Sequence, residues 1–311
     1  MSESRQNPAH KHHYIPAFYL KRWATGVDGK LTEFRRVHGN RIAVRRAHPN
    51  ATGFMDRLYE LQHVEPAAAS ILETHFFAPI DNAASDALDL LDQPNIWEGN
   101  WTARRTSAWS RFIYSLLVRS PEDVAVFRRE WPREIRQIDA ADEEDYKEHA
   151  PPGFDGSILD LIDSMTEREH ELSMAQVFAY CIDSSRVAQE INNLHWSVYN
   201  NFSDRTFLTS DRPVIRTAAL LRKGGHLLLP IGPRKLFLAA TDDTMAAGLS
   251  KVRPRDLVAY VNQAVTEGAA NYVYAVDERQ SRFIHNRFGK TPQPRLIEAV
   301  FATRRERSLT G

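Results

Sequence analysis

The side chains best suited to chemistry in this chain of 311 residues gather at two places, near residue 12 and near residue 211. His10, His12 and His13 precede Tyr14-Ile15-Pro16. Imidazole is nearly the only neutral side chain that both binds divalent metal ions and moves protons near neutral pH. Adjacent residues of an extended backbone point to opposite sides, so His12 and His13 are not expected to hold one ion between them, whereas His10 and His12 share a face. A polar tail in front of an aromatic anchor, Tyr14, Phe18 and Tyr19, is the competing reading. The second place is Thr209-Ser210-Asp211-Arg212-Pro213, at the end of an expected strand. A carboxylate where a strand leaves its sheet is positioned to bind a metal or to orient a histidine. Ser and Asp there also close turns by bonding their own backbone.

Other polar residues interrupt apolar helical stripes. Asn262 falls among the inward positions Val258 and Val265, Glu73 and His75 flank the stripe Ile71–Phe76, and Arg119 ends the clearest helix of the chain. A buried polar group needs a hydrogen-bond partner, so each is read first as an internal tie and second as a working residue. A further cluster, Arg35, Arg36, Arg41, Arg45 and Arg46, would give an anionic or nucleic-acid ligand a basic face, or form a solvated one. Several signals are absent from the sequence: a glycine-rich phosphate loop, a Walker-type lysine, an HExxH helix, a GxSxG elbow and paired zinc cysteines.

The elements that must position these residues are legible in outline. Gly39-Asn40 sits between alternating segments Leu31–Arg36 and Arg41–Arg46, which predicts a β-hairpin. Apolar residues recur at helical spacing from Pro66 to Leu91, with Pro79 expected to kink or divide the helix. Thr102–Val118 is the next helix, and Ser120-Pro121-Glu122-Asp123 opens another with a serine cap, a first-turn proline and two acids. Residues 139–157 are acidic, contain Pro151-Pro152-Gly153 and read as a loop or weak boundary. A long helix is expected over roughly Ile158–Ile191, broken near Glu171–Ser173. From His195 onward the segments HWSVYNN, RTFLTS, HLLLPIG and KLFLAAT read as strands, Arg255–Glu267 as a helix and NYVYAVD as a last strand. The fold class expected is α+β: an N-terminal hairpin, a helical middle and a C-terminal mixed sheet with one or more helices. Hairpin and C-terminal strands each need a partner layer, which favours one interlocked domain over residues 1–311.

Composition narrows the class further. The chain is 42% hydrophobic and 26% charged, with 40 Lys plus Arg against 40 Asp plus Glu. Net charge therefore indicates no nucleic-acid or membrane partner by itself. The distribution is uneven: residues 1–50 carry ten bases against three acids, 139–171 twelve acids against two bases, and 279–307 eight bases against two acids. Such segregation marks a partner surface or internal pairing between faces of one fold. The single cysteine, Cys181, lies on an apolar helical face and fits a reducing compartment. MSESRQNPAHKHH has no signal-peptide core and no window has the length of a membrane-spanning helix, so a cytoplasmic location is expected.

Taken in order, HHYIPAFYLKRWA, MDRLYEL, LETHFFAPIDNAASDAL, RFIYSLLVRSPEDV, FLTSDRPVI, LLLPIGPRKLFLAA and VNQAVTEGAANYVYAV resemble the bacterial family catalogued as domain of unknown function 4238, over roughly residues 10–277. The resemblance implies a fold shared along that length. It also marks His12, His13, Tyr14, Pro16, Tyr19 and Leu20, with Ser210, Asp211 and Pro213, as family-defining. It carries no activity. The expected function is a hydrolase or nuclease-like enzyme, metal-assisted by a divalent ion, acting on an anionic, phosphate-containing substrate. Its candidate site is His12, His13, Ser210 and Asp211, with Asn262 and Arg119 in support and His12, His13 and Asp211 as metal ligands. The alternative is a non-catalytic binding protein, accessory to a bacterial defence or toxin–antitoxin system and meeting a partner protein.

Overall fold

In the computed structural model, residues 10–93, 101–183, 185–217, 220 and 223–302 are described. The fold is α+β, and each of its ladders is antiparallel. The first strands are β1 (Lys11–His13), β2 (Leu31–Arg36), β3 (Ile42–Ala47) and β4 (Phe54–Asp56). They are followed by β5 (His195–Asn200), β6 (Thr209–Ser210), β7 (Ile215–Arg216), β8 (His226–Gly232), β9 (Lys235–Ala240) and β10 (Tyr272–Ala275). One sheet has the order β3-β2-β10-β6, a second β5-β9-β8-β7, and β1 pairs with β4 alone. The expected hairpin is β2–β3, in register from Leu31↔Ala47 to Arg36↔Ile42, and Gly39 turns it at φ +75°.

The central strands of the second sheet, β8 and β9, are buried on both faces, which explains their nearly continuous apolar runs. Leu227, Leu229, Phe237 and Ala239 pack with the helical middle, while Leu228, Leu236 and Leu238 pack with helix Pro254–Gly268. That helix inserts Leu257, Val258, Val261 and Val265 between this sheet and the inner face of the first, where Phe34 and Val273 meet it. The first sheet takes strands from both ends of the chain, because β10 lies between β2 and β6.

The helical middle follows expectation at Pro79 and departs from it at two points. Pro79 does divide its helix: a π-helix, Leu72–Phe77, runs into helix Ala78–Leu90, with the proline in the first turn of the latter. Proline has no amide to offer the carbonyl four residues back and crowds it, so regular winding stops and the wider turn takes its place. Residues 140–149 form a helix rather than a loop, since Asp139 accepts the amides of Ala141 and Asp142 and Asp142 returns a bond to Asp139. The long helix breaks at Met165-Thr166, not at 171–173, into Ile158–Ser164 and Glu167–Asp183, followed by Ser185–Asn192. There Thr166 caps Glu169 and Glu169 caps Thr166 in return, a start signal that helical periodicity does not register. No described helix is long and apolar enough to cross a membrane.

Candidate functional site

The histidine segment is strand β1, held in register with β4 at Lys11↔Asp56, His12↔Met55 and His13↔Phe54. Just beyond it, the amides of Tyr14 and Ile15 both donate to the carbonyl of Gly53 at 3.0 Å. Gly53 has φ +68°, and a Cβ on it would stand 2.8 Å from the Ile15 carbonyl oxygen, so only glycine fits here. Strand alternation sends the two histidines apart. His12 goes into the core at 1% exposure, stacks on Tyr59 with centroids 5.6 Å apart, and accepts the Tyr59 amide on Nδ1 at 2.9 Å. His13 packs beside Phe54 and is partly covered. Its Nε2 is buried without a hydrogen-bond partner. Burial above all, then the positive charge of Arg119, lowers its pKa to about 4, so the ring is neutral at pH 7.

Arg119 is the centre of this region. It caps the C-terminal end of helix Ala103–Val118, where a cation is favoured by the helix dipole, and its side chain is wholly buried. Nε donates to the carbonyl of Tyr14 at 3.1 Å and Nη1 to Asp81 Oδ1 at 2.9 Å, while Nη2 is buried with no partner. The guanidinium carbon lies 5.6 Å from the Phe77 ring and 5.7 Å from that of Phe112. Tyr59 completes the enclosure by donating its hydroxyl to the Arg119 carbonyl at 2.8 Å.

Two carboxyls face this cation. Burial raises the pKa of Asp81 in spite of its bond to Arg119. Glu73, on the π-helix, is pushed up to about 7 by burial and by the neighbouring Asp81, with Arg119 opposing. Its Oε2 is also buried and unpartnered. Thus a carboxyl that titrates near neutrality and a neutral imidazole each feel the charge of one fixed cation, and each of the three has one unpartnered buried polar atom. Such a set can hold an anion and exchange a proton at pH 7.

The second expected constellation is built differently. The Asp211 carboxylate accepts the amides of Ala270 at 2.9 Å, Asn271 at 2.5 Å and Tyr272 at 3.1 Å. Burial nonetheless outweighs these amides and raises its pKa to about 6. Ser210 Oγ accepts the amide of Arg212 at 3.1 Å, the turn closure open to it from sequence. Asn262 joins three segments: it accepts the Leu208 amide at 2.8 Å and donates to the Thr206 carbonyl and to Gln280 Oε1, both at 2.9 Å. These side chains fasten the end of β6 to β10 and to helix Pro254–Gly268. Tyr14 links the two regions, since its carbonyl meets Arg119 while its phenol senses the charge of Asp211. The set expected as metal ligands does not suit an ion. His12 Nδ1 and both Asp211 oxygens already accept amides. Among the described residues no three His, Cys, Asp or Glu side chains gather to hold one.

The hairpin arginines lie mostly at the surface but are largely engaged by partners within the chain. Arg45 pairs with the buried Glu33 across the β2–β3 ladder at 2.7 Å, and Arg46 binds Asp28 at 2.8 Å and the carbonyl of Val276 at 3.0 Å. Arg35 lies over Tyr272, and Arg36 over Phe288, whose carbonyl it also binds. Arg41 is exposed at the hairpin turn. Asp81 and Tyr59 were not distinguished by sequence. Each meets Arg119 from a distant segment, and an ordinary acid near a helix start or a core tyrosine carries no spacing signal.

A family model described as "Protein of unknown function (DUF4238)" matches residues 11–279. No curated protein and no solved structure matches the chain.

Proposed function

The chain belongs to the DUF4238 family, and we propose that it is a hydrolase, nuclease-like in acting on phosphoesters, with Glu73 as its acid–base group and Arg119 as its anion-holding group. One observation carries this reading. Segments from four motifs meet around a buried guanidinium, and His13 Nε2, Glu73 Oε2 and Arg119 Nη2 are each buried without a partner. In this reading Arg119 donates to a non-bridging phosphate oxygen and steadies the charge that grows there. Ionised Glu73 takes a proton from a water whose oxygen bonds to phosphorus. The ester oxygen leaves with the bonding electron pair and receives that proton from Glu73. His13, neutral, orients the water. Asp81 keeps the guanidinium in place. No step is assigned to a divalent ion, since His12 Nδ1 and both Asp211 oxygens are committed to backbone amides and His13 alone is left.

The test is hydrolysis of bis(p-nitrophenyl) phosphate and of a short single-stranded oligonucleotide in the presence of EDTA. Turnover is expected, falling by about 10²–10⁴-fold in Glu73→Gln with thermal unfolding preserved. Absence of turnover on both substrates, or a Glu73→Gln variant as active as the parent, overturns the proposal. Either result leaves the non-catalytic accessory reading, in which the Arg119 cluster is an internal tie like Asp211 and Asn262.

A further inference from the structure

Two depressions adjoin on the face formed by the loop after β5, the β8–β9 turn and the segment after β10, and Arg205 lines both. Their volumes are about 700 Å³ and about 560 Å³, so together they make an open furrow larger than a small-molecule pocket. The furrow is lined by six arginines against three aspartates. The aspartates are matched one to one: Asp204 takes Arg255 in a two-pronged pair at 2.8 and 2.7 Å, Asp256 takes Arg253 at 2.7 Å, and Asp277 takes Arg279 at 3.5 Å. Arg205, Arg234 and Arg282 are left exposed with no carboxylate within 4.0 Å among the described residues; Arg234 bonds only main-chain carbonyls, of Ser203 and Arg205. At one end stands Phe202, 90% exposed, and Phe283 lines the other depression.

We propose that this furrow binds single-stranded nucleic acid, with the phosphates running along Arg205, Arg234 and Arg282 and a base stacked on Phe202. Three guanidinium groups without a carboxylate partner on one face call for an anion of several charges. A fully exposed phenyl ring beside them is costly in water and offers the flat apolar face on which any unpaired base stacks. A duplex keeps its bases stacked internally and has none to offer this ring. An acidic peptide would match the cations but not use the ring. The basic stretch 279–307, noted from sequence, supplies Arg279 and Arg282, whereas the arginines of the β2–β3 hairpin are mostly turned to internal partners. This proposal does not depend on the hydrolytic reading, because none of its residues belongs to the Arg119 cluster.

The experiment is fluorescence anisotropy of the full chain with labelled dT15 and rU15, in EDTA, at two or more salt concentrations. Binding is expected to weaken steeply with salt. It should weaken about tenfold in Phe202→Ala, and the Arg205→Ala/Arg282→Ala double variant should have a log–log salt slope smaller by about 1.4. Both sets of side chains are on the surface, and unchanged thermal unfolding of each variant excludes misfolding as a cause. A 15-base-pair duplex or a polyglutamate peptide that binds as tightly as dT15 overturns the proposal, as does a Phe202→Ala variant with full affinity. Affinity is read by anisotropy on the furrow variants and turnover by product release on Glu73→Gln, so failure of the hydrolytic reading and failure of this one are told apart.

Discussion

Arg119 Nε donates to the main-chain carbonyl of Tyr14 at 3.1 Å, joining the end of the first long helix to the residue that follows the two histidines. Through Nη1 the same side chain holds Asp81, so removing it releases two elements and strands a buried carboxylate. Losing one partner of a buried pair costs about 3–5 kcal/mol. Arg119→Ala should lose about that much in urea unfolding. Asp81→Asn should lose less, because Asn still offers Oδ1 to the guanidinium. A double-mutant cycle showing no coupling between the two positions would contradict the geometry.

His13 titrates at 6.5 in the unfolded chain and at about 4 in the folded one. Between those values the unfolded chain binds more protons, so this residue costs the fold nothing above pH 6.5 and its penalty grows as pH falls toward 4. His13→Gln, which cannot charge, should unfold with a flatter dependence over that window. Melting curves from pH 7 to pH 4 read the difference directly, and parallel curves would argue against a buried neutral imidazole.

Glu73 has the opposite sign. Its carboxyl ionises at 4.5 unfolded and about 7 folded, so the folded chain holds the extra proton between these values and stability declines as pH rises through them. The stability of Glu73→Gln relative to the parent should therefore increase from pH 5 to pH 8. In the hydrolytic reading, activity rises over the same range with an inflection near 7, because the base must be ionised.

Asp211→Asn replaces one acceptor oxygen by an amide that faces other amides. The three donors at Ala270, Asn271 and Tyr272 cannot all be satisfied, and a buried donor without a partner costs about 1–3 kcal/mol. A fall in melting temperature is expected, with hydrolysis per folded molecule retained. Loss of hydrolysis at unchanged stability would instead place Asp211 in the reaction.

The Arg41→Ala/Arg45→Ala/Arg46→Ala triple variant should be destabilised without losing affinity for dT15. Arg45 neutralises Glu33, whose side chain is fully buried, and Arg46 bridges β3 to Asp28 and to Val276. Circular dichroism melts and anisotropy on one preparation separate the two effects.

These residues also mark where sequence suffices. The β2–β3 hairpin, the division at Pro79 and the serine-capped helix at Ser120 follow from turn, proline and cap chemistry that acts over a few residues, and they were legible. The helix at 140–149 was not, because it has no apolar face and rests on the reciprocal caps of Asp139 and Asp142. For the candidate site, His13, Glu73 and Arg119 stood out as polar residues in unusual company. Which polar residues meet is decided by tertiary packing: Arg119 finds Asp81 across 38 positions and Tyr14 across 105, while Asp211 turns to amides about 60 positions on. The hairpin arginines misdirect for the same reason, since the acid that absorbs Arg45 is identified only by strand register.

The placement of β10 between β2 and β6 bears on how the protein is made. β2 leaves the ribosome well before β10, since its partner Tyr272 follows Arg35 by 237 positions. At roughly 5–20 residues per second that interval is on the order of 12–50 s. During it the edge of β2 that will receive β10 carries unpaired amides and carbonyls beside Phe34, an invitation to another nascent chain. Arg35 and Arg36 lie at the turn end of that strand, and charged side chains on an unpaired edge oppose pairing with a like-charged copy. The hairpin's charge, which in the finished molecule is mostly absorbed, thus has its freest period during synthesis.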